Sequence, residues 1–200
     1  MAHYYMFNKP RSCITARTDP RHKTVMDYFP QELHNLIFPV GRLDKDTEGL
    51  LLLTDDGELC YNLLRPEHRV PKKYFFWCLG EPSEEKITLA EGGVRIYKNR
   101  DYVTAEAKIE LGERSTLAEI QHLLSFEDKK TSNKRGALTV TSGVITITEG
   151  KKHQVKRTLR YCGSRVLYLK RLSIGSLLLD ESIAPGEYRP LTEKEVEILR

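Results

Sequence analysis

Apolar positions recur along this chain at two spacings, and the alternation between them predicts short strands interleaved with short helices. His3–Phe7 is an apolar, aromatic run that reads as a strand ending at the turn signal Asn8-Lys9-Pro10. Thr24–Phe29 predicts a helical turn closed by Pro30. Leu36–Val40 and Leu50–Thr54 predict buried strands bracketing a polar turn, Gly41–Gly49. Glu58–Leu64 follows Asp55-Asp56-Gly57 with helical spacing and stops at Pro66. Lys73–Leu79 predicts an aromatic strand, and Pro82-Ser83-Glu84-Glu85 a helix start. Thr104–Leu111 and Gly143–Thr148 alternate apolar with polar, as half-exposed strands do. His153–Tyr161 predicts a basic helix ended by Gly163, and Arg165–Ser173 a further strand. Thr192–Leu199 is a final helix opened by a Thr-x-x-Glu capping box. Arg114–Thr141 fits poorly: it holds a helix at Leu117–Leu124 and then a polar basic loop, so it is either an insertion or a connection between two lobes. Strands outnumber long helices, and the expected class is α+β with a mixed sheet.

Composition changes this picture little; charge distribution changes it more. The 200 residues are 40% hydrophobic and 30% charged, which describes one globular chain or two small lobes sharing a core. The densest apolar runs, Leu50–Leu53 and Tyr74–Gly80, are too short to span a bilayer, and the start lacks the basic and apolar regions of a secretory signal. Cys13, Cys60, Cys78 and Cys162 form no C-x-x-C pair, so reduced thiols in a cytoplasmic protein are expected, with no structural metal. A net charge of +4 excludes an acidic tail and a histone-like polymer. From Gly150 to Leu179, however, Lys151, Lys152, Lys156, Arg157, Arg160, Arg165, Lys170 and Arg171 meet no acid and sum to +8. Smaller basic runs lie at Arg65–Lys73, with Lys72 and Lys73, and at Lys129-Lys130 with Lys134-Arg135. Such segregation is the footprint of a polyanion-binding face, although a solvated surface has the same composition.

The most informative stretch is the polar turn Gly41-Arg42-Leu43-Asp44-Lys45-Asp46-Thr47-Glu48-Gly49. An Arg and an Asp two residues apart between apolar strands form a charged cluster that costs energy to bury. Asp44-x-Asp46-x-Glu48-Gly49 approximates a calcium loop, but Leu50–Leu53 occupies its later positions and flanking helices are missing. A phosphate loop at Gly143–Lys151 fails for want of the following Ser or Thr. Gly41-Arg42-Leu43-Asp44-x-x-Thr47-x-Gly49-Leu50-Leu51-Leu52-Leu53-Thr54-x-Asp56-Gly57 resembles the signature of the RsuA-type RNA pseudouridine synthases. The resemblance extends to Asn8-Lys9-Pro10, Lys73-Tyr74, Glu149-Gly150-Lys151-Lys152-His153-Gln154-Val155-Lys156-Arg157 and Pro185-Gly186-Glu187-Tyr188-Arg189-Pro190-Leu191-Thr192.

This resemblance implies a pseudouridine synthase catalytic domain over 1–200 without the family's N-terminal S4 domain. The implied fold is a mixed, largely antiparallel, bifurcated sheet flanked by short helices, with two lobes around it. The implied reaction breaks the bond from N1 to C1′ of a uridine and rejoins the uracil through C5, with no net redox change or external group, so no nucleotide cofactor, other cofactor or metal is expected. By resemblance Asp44 is the nucleophile and Lys156 the cation facing it. Tyr74 is a ring for the extruded base, Val155 packs near it, and Arg42 assists nucleotide flipping. Lys72, Lys73, Lys151, Lys152, Arg157 and Arg160 are expected to track phosphates. The expected partner is ribosomal RNA, small-subunit in preference to large-subunit because of His153-Gln154-Val155-Lys156, and the chain is expected to act as a monomer. A non-catalytic RNA-binding module stays open as an alternative.

Overall fold

The computed structural model describes residues 2–97, 101–125, 128–130 and 135–200. Nine strands carry the fold: β1 Tyr4–Lys9, β2 Phe38–Pro39, β3 Glu48–Thr54, β4 Lys72–Leu79, β5 Ala107–Thr116, β6 Thr139–Ile147, β7 Arg165–Ile174, β8 Leu177–Leu178 and β9 Tyr188–Pro190. The helices used below are α1 Gly57–Leu64, α2 Glu84–Glu91, α3 Gln154–Tyr161 and α4 Glu193–Glu197. The chain divides into two compact units, Met1–Lys72 with Lys170–Arg200, and Lys73–Leu169. Both divisions fall inside strands, β4 and β7.

In the first unit the strand order is β7-β3-β1-β9, with β2 also on β3 and β8 on β7. β1 is antiparallel to β3 from Tyr4↔Thr54 to Lys9↔Gly49, whereas β3 meets β7 in parallel at Glu48↔Lys170 and Gly49↔Arg171, so the sheet is mixed. β3 is buried on both faces, and for that reason its sequence is a run of leucines with no alternation. Leu50 and Leu52 join Met6, Val40, Leu59 and Leu63 in one apolar cluster, while Leu51 and Leu53 are buried on the opposite face. α1 begins where Asp56 Oδ1 accepts the Leu59 amide at 2.9 Å, a side-chain cap that stops the sheet and starts the helix. The terminal motif returns to the start of the chain. Gly186 N donates to Asn8 O at 2.8 Å and Asn8 N to Glu187 O at 3.0 Å, and the Thr192–Glu195 capping box then opens α4.

In the second unit the order is β5-β6-β4-β7. β5 and β6 are antiparallel from Ala107↔Ile147 to Thr116↔Thr139, with an irregularity between Leu111 and Arg114. β5 therefore starts three residues later than its alternation suggests and continues into the segment that fitted poorly. The helix expected over Leu117–Leu124 is corrected to turns with one 3-10 turn at Gln121–Leu123. Leu117 N bonds Leu138 O at 2.9 Å and Ala118 N bonds Gly136 O at 3.1 Å, so the start of the segment is tied to a neighbouring one. The tight local bonds that follow, such as Gln121 N to Ala118 O at 3.2 Å and Leu123 N to Ile120 O at 2.9 Å, make 3-10 turns in place of a full helix. Leu117, Ile120 and Leu124 still turn inward onto Trp77, Val140 and Leu167. The basic loop expected around Lys129-Lys130 is helical at 128–130, and Lys134 lies outside the described residues.

Candidate active site

The turn between β2 and β3 is built by anchoring some of its motif residues and presenting others. Gly41 (φ +73°) and Gly49 (φ +99°) both take left-sided conformations that side chains resist. At Gly49 a Cβ would stand 2.3 Å from the Arg171 carbonyl oxygen, so the parallel seam of β3 with β7 closes only on glycine. Leu43 and Thr47 are buried, Thr15 Oγ1 both donates to Leu43 O at 2.9 Å and accepts Leu43 N at 3.1 Å, and Thr47 N bonds Asp44 O at 3.0 Å. Arg42 is exposed and Asp44 half-buried. The alternation of anchored and presented residues accounts for the motif's spacing.

Lys9, completely buried at the end of β1, fastens this turn from below. Its ammonium donates to Thr47 O and Pro10 O, each at 3.0 Å, and reaches Lys45 O at 3.5 Å. Burial lowers its pKa, and the nearby Cys13, Asp46, Glu48 and Asp44 oppose that shift. Ser12 N adds a bond to Lys45 O at 2.9 Å, and Arg11 pairs with Glu48 at 3.2 Å. Sequence reasoning counted Lys9 only as part of a motif. Its signal, a lone lysine closing an apolar strand, does not distinguish a surface charge from a buried one.

In the second unit the segment before α3 is organised by a buried carboxylate. Glu149 accepts Gln154 Nε2 at 2.7 Å, the Ala105 amide at 2.9 Å and the Tyr102 hydroxyl. Burial and that carboxylate raise the Tyr102 pKa well above the usual phenol value. Gln154 Oε1 in turn accepts Lys151 N at 3.0 Å, and His153 adopts a left-handed conformation (φ +55°) at the helix start. The Glu-Gly-Lys-Lys-His-Gln run is thus a fixed bend that launches α3. Neither Glu149 nor Gln154 was singled out from sequence.

The expected site residues fall in both units. Arg42 and Asp44 share the turn of the first unit. Tyr74 and Val155 are buried and Lys156 is half-buried in the second, where Lys73, Lys151, Lys152 and Arg160 are exposed and Arg157 is half-buried. Lys72 requires correction. It is only 6% exposed, and its ammonium donates to Leu63 O at 3.1 Å and Val70 O at 2.9 Å, so it holds two chain segments together instead of meeting phosphate. Burial, helped by Arg171, brings its pKa down to about 8. Arg171 likewise leaves the basic window for the interior, with Nε on Leu50 O at 2.7 Å. No helix among the described residues is long and apolar enough to cross a membrane.

The chain is similar to known proteins. Residues 3–161 match the family described as RNA pseudouridylate synthase. The chain is 43% identical over 197 residues, 98% of its length, to an uncharacterized RNA pseudouridine synthase, YtzG, of Bacillus subtilis, covering 72% of that protein. It is 33% identical over 193 residues, 96% of its length, to the ribosomal small subunit pseudouridine synthase A of Salmonella typhimurium, again covering 72%. A pseudouridylate synthase crystal structure superposes on the whole chain with a TM-score of 0.79 at 32% identity, and the match covers 74% of that structure's chain. With the turn motif, the mixed sheet and this similarity in agreement, the chain belongs to the RsuA-type family of RNA pseudouridine synthases and is an isomerase.

Proposed function

We propose that this enzyme isomerises one uridine of small-subunit ribosomal RNA, with Asp44 as the nucleophile. The observation that carries the assignment of Asp44 is the build of its turn. Gly41, Leu43, Thr47, Gly49 and the buried Lys9 are all spent on holding the segment, and Asp44 stands half-exposed within it. A carboxylate fixed in that way is suited to add covalently to the nucleoside while the N1–C1′ bond breaks. The uracil then rejoins C1′ through C5, the bond to Asp44 breaks to free the carboxylate, the C5 proton is lost to solvent, and N1 gains a proton. Tyr74 would stack the extruded base, Arg42 would hold the space it leaves, and Lys156 would balance the carboxylate's charge. The preference for small-subunit RNA rests on the name of the Salmonella typhimurium relative and on the Lys156 motif.

Release of tritium from 5-tritiated rRNA transcripts tests this reading. Wild type is expected to release tritium from small-subunit transcripts, and Asp44→Asn to release essentially none. Equal release by both proteins would refute the nucleophile. Release from large-subunit transcripts alone would overturn the substrate, and binding without release would overturn catalysis on ribosomal RNA.

A further inference from the structure

A hollow of about 680 Å³ opens in the second unit along α3 and the start of β7. Its lining includes Arg95, Lys156, Arg157, Arg160 and Arg165 and, among the described residues, no Asp or Glu. The volume is that of a small-ligand site. Five cations crowd one hollow, and guanidinium groups match phosphate geometry especially well. Several of the five are already held in place, Arg95 by Asp101 at 2.9 Å. Arg157 donates to Ile96 O at 3.3 Å and lies over the Tyr97 ring at 4.5 Å. Arg165 pairs with Asp128 at 2.9 Å, and Asp128 is itself fixed by the Ser125 hydroxyl at 2.7 Å. Arg165 is 55% exposed and Asp128 only 16%, so the arginine is the partner free to swing to another anion.

We propose that this hollow seats backbone phosphates of the substrate RNA strand, with Arg160 and Arg165 as ligands and Asp128 as the internal anion a phosphate displaces from Arg165. The proposal rests on the function proposed above and extends it to residues outside the family motifs, Arg95, Arg165 and Asp128. An RNA strand fits better than a single phosphorylated group, because a row of cations matches a row of phosphates.

The test is the salt dependence of binding to a fluorescein-labelled single-stranded RNA of about 20 nucleotides, followed by anisotropy. Each lost phosphate contact removes about 0.7 from the slope of log K against log salt, so Arg160→Gln with Arg165→Gln is expected to lower it by about 1.4. A charge-matched control, Lys86→Gln with Lys108→Gln, alters exposed positions of the same unit outside the hollow and is expected to keep the wild-type slope. Equal slopes in the two double variants would overturn the proposal. Asp128→Asn is expected to bind about threefold more tightly, the value of an exposed ion pair; unchanged or weaker binding would overturn the displacement. Tritium release measured in parallel separates the two readings. A slope difference without release by wild type upholds the hollow and removes the isomerase substrate, whereas release with indistinguishable slopes does the reverse.

Discussion

Gly49→Ala tests whether the seam of β3 with β7 admits any side chain where the polar turn enters the sheet. Two costs are separable in the structure. The first is conformational: φ +99° lies where L side chains are rarely found, and holding alanine there costs about 1–3 kcal/mol. The second is steric. A Cβ would lie 2.3 Å from Arg171 O and 2.8 Å from Arg171 N, both backbone atoms that no rotamer change can move. Relief requires the strands to part by most of an ångström at Glu48↔Lys170 and Gly49↔Arg171. Losing about two ladder hydrogen bonds adds about 1–3 kcal/mol, for a total of about 2–6 kcal/mol, a large share of a typical domain's stability. Gly41→Ala is the internal comparison. Its φ of +73° carries the conformational cost, but its Cβ would meet only Leu64 Cδ2 at 2.9 Å, the tip of a side chain that can rotate away. Urea unfolding followed by far-ultraviolet circular dichroism should show Gly49→Ala losing about 2 kcal/mol more than Gly41→Ala, at equal m-values. Equal losses in the two variants would refute the backbone clash.

Lys9→Met keeps the buried stem but strips the donor from two carbonyl oxygens of the turn, those of Lys45 and Thr47, and from that of Pro10. It is expected to cost about 2–4 kcal/mol in urea, the lost charged hydrogen bonds being offset in part by the relief of ammonium burial. At temperatures where the variant stays folded, tritium release should fall about a hundredfold, as a displaced catalytic group predicts; destabilisation with undiminished release would show that Lys9 does not position Asp44. Lys72 provides a pH test. Its folded pKa of about 8 lies below the unfolded value near 10.5, so unfolding takes up a proton between these values and its contribution to stability grows as pH rises from about 8 to 10.5. The stability of wild type relative to Lys72→Met should therefore increase over that window, measured by urea unfolding at several pH values, and a flat difference would contradict the shift.

The local elements and the polar turn before the buried β3 follow from the sequence, because apolar periodicity, proline stops and capping residues act over a few positions. The strand expected over Leu36–Val40, however, shrinks to the half-buried Phe38–Pro39 and leaves Leu36 exposed. Asp56, Ser83 and Thr192 cap the helices that their spacing announces. The motif Gly41–Gly49 likewise marks its own importance, since charged residues seldom sit between runs of leucine. The tertiary structure decided which cations are surface and which are interior. Lys9, Lys72 and Arg171 look in sequence like Lys73 or Lys151, yet each ends among carbonyl oxygens supplied by other parts of the chain. A cationic side chain's burial depends on partners distant in sequence, as Lys9 on Thr47 and Arg171 on Leu50 illustrate, and no local pattern encodes them. The same holds for Leu117–Leu124, where Leu117 and Ala118 bond the 136–138 segment and tight 3-10 turns take the place of a full helix. The basic window therefore predicted a cationic character, and only folding separated the arginines that line a hollow from the one that braces the sheet, because a side chain's solvent exposure is set by the chain packed over it.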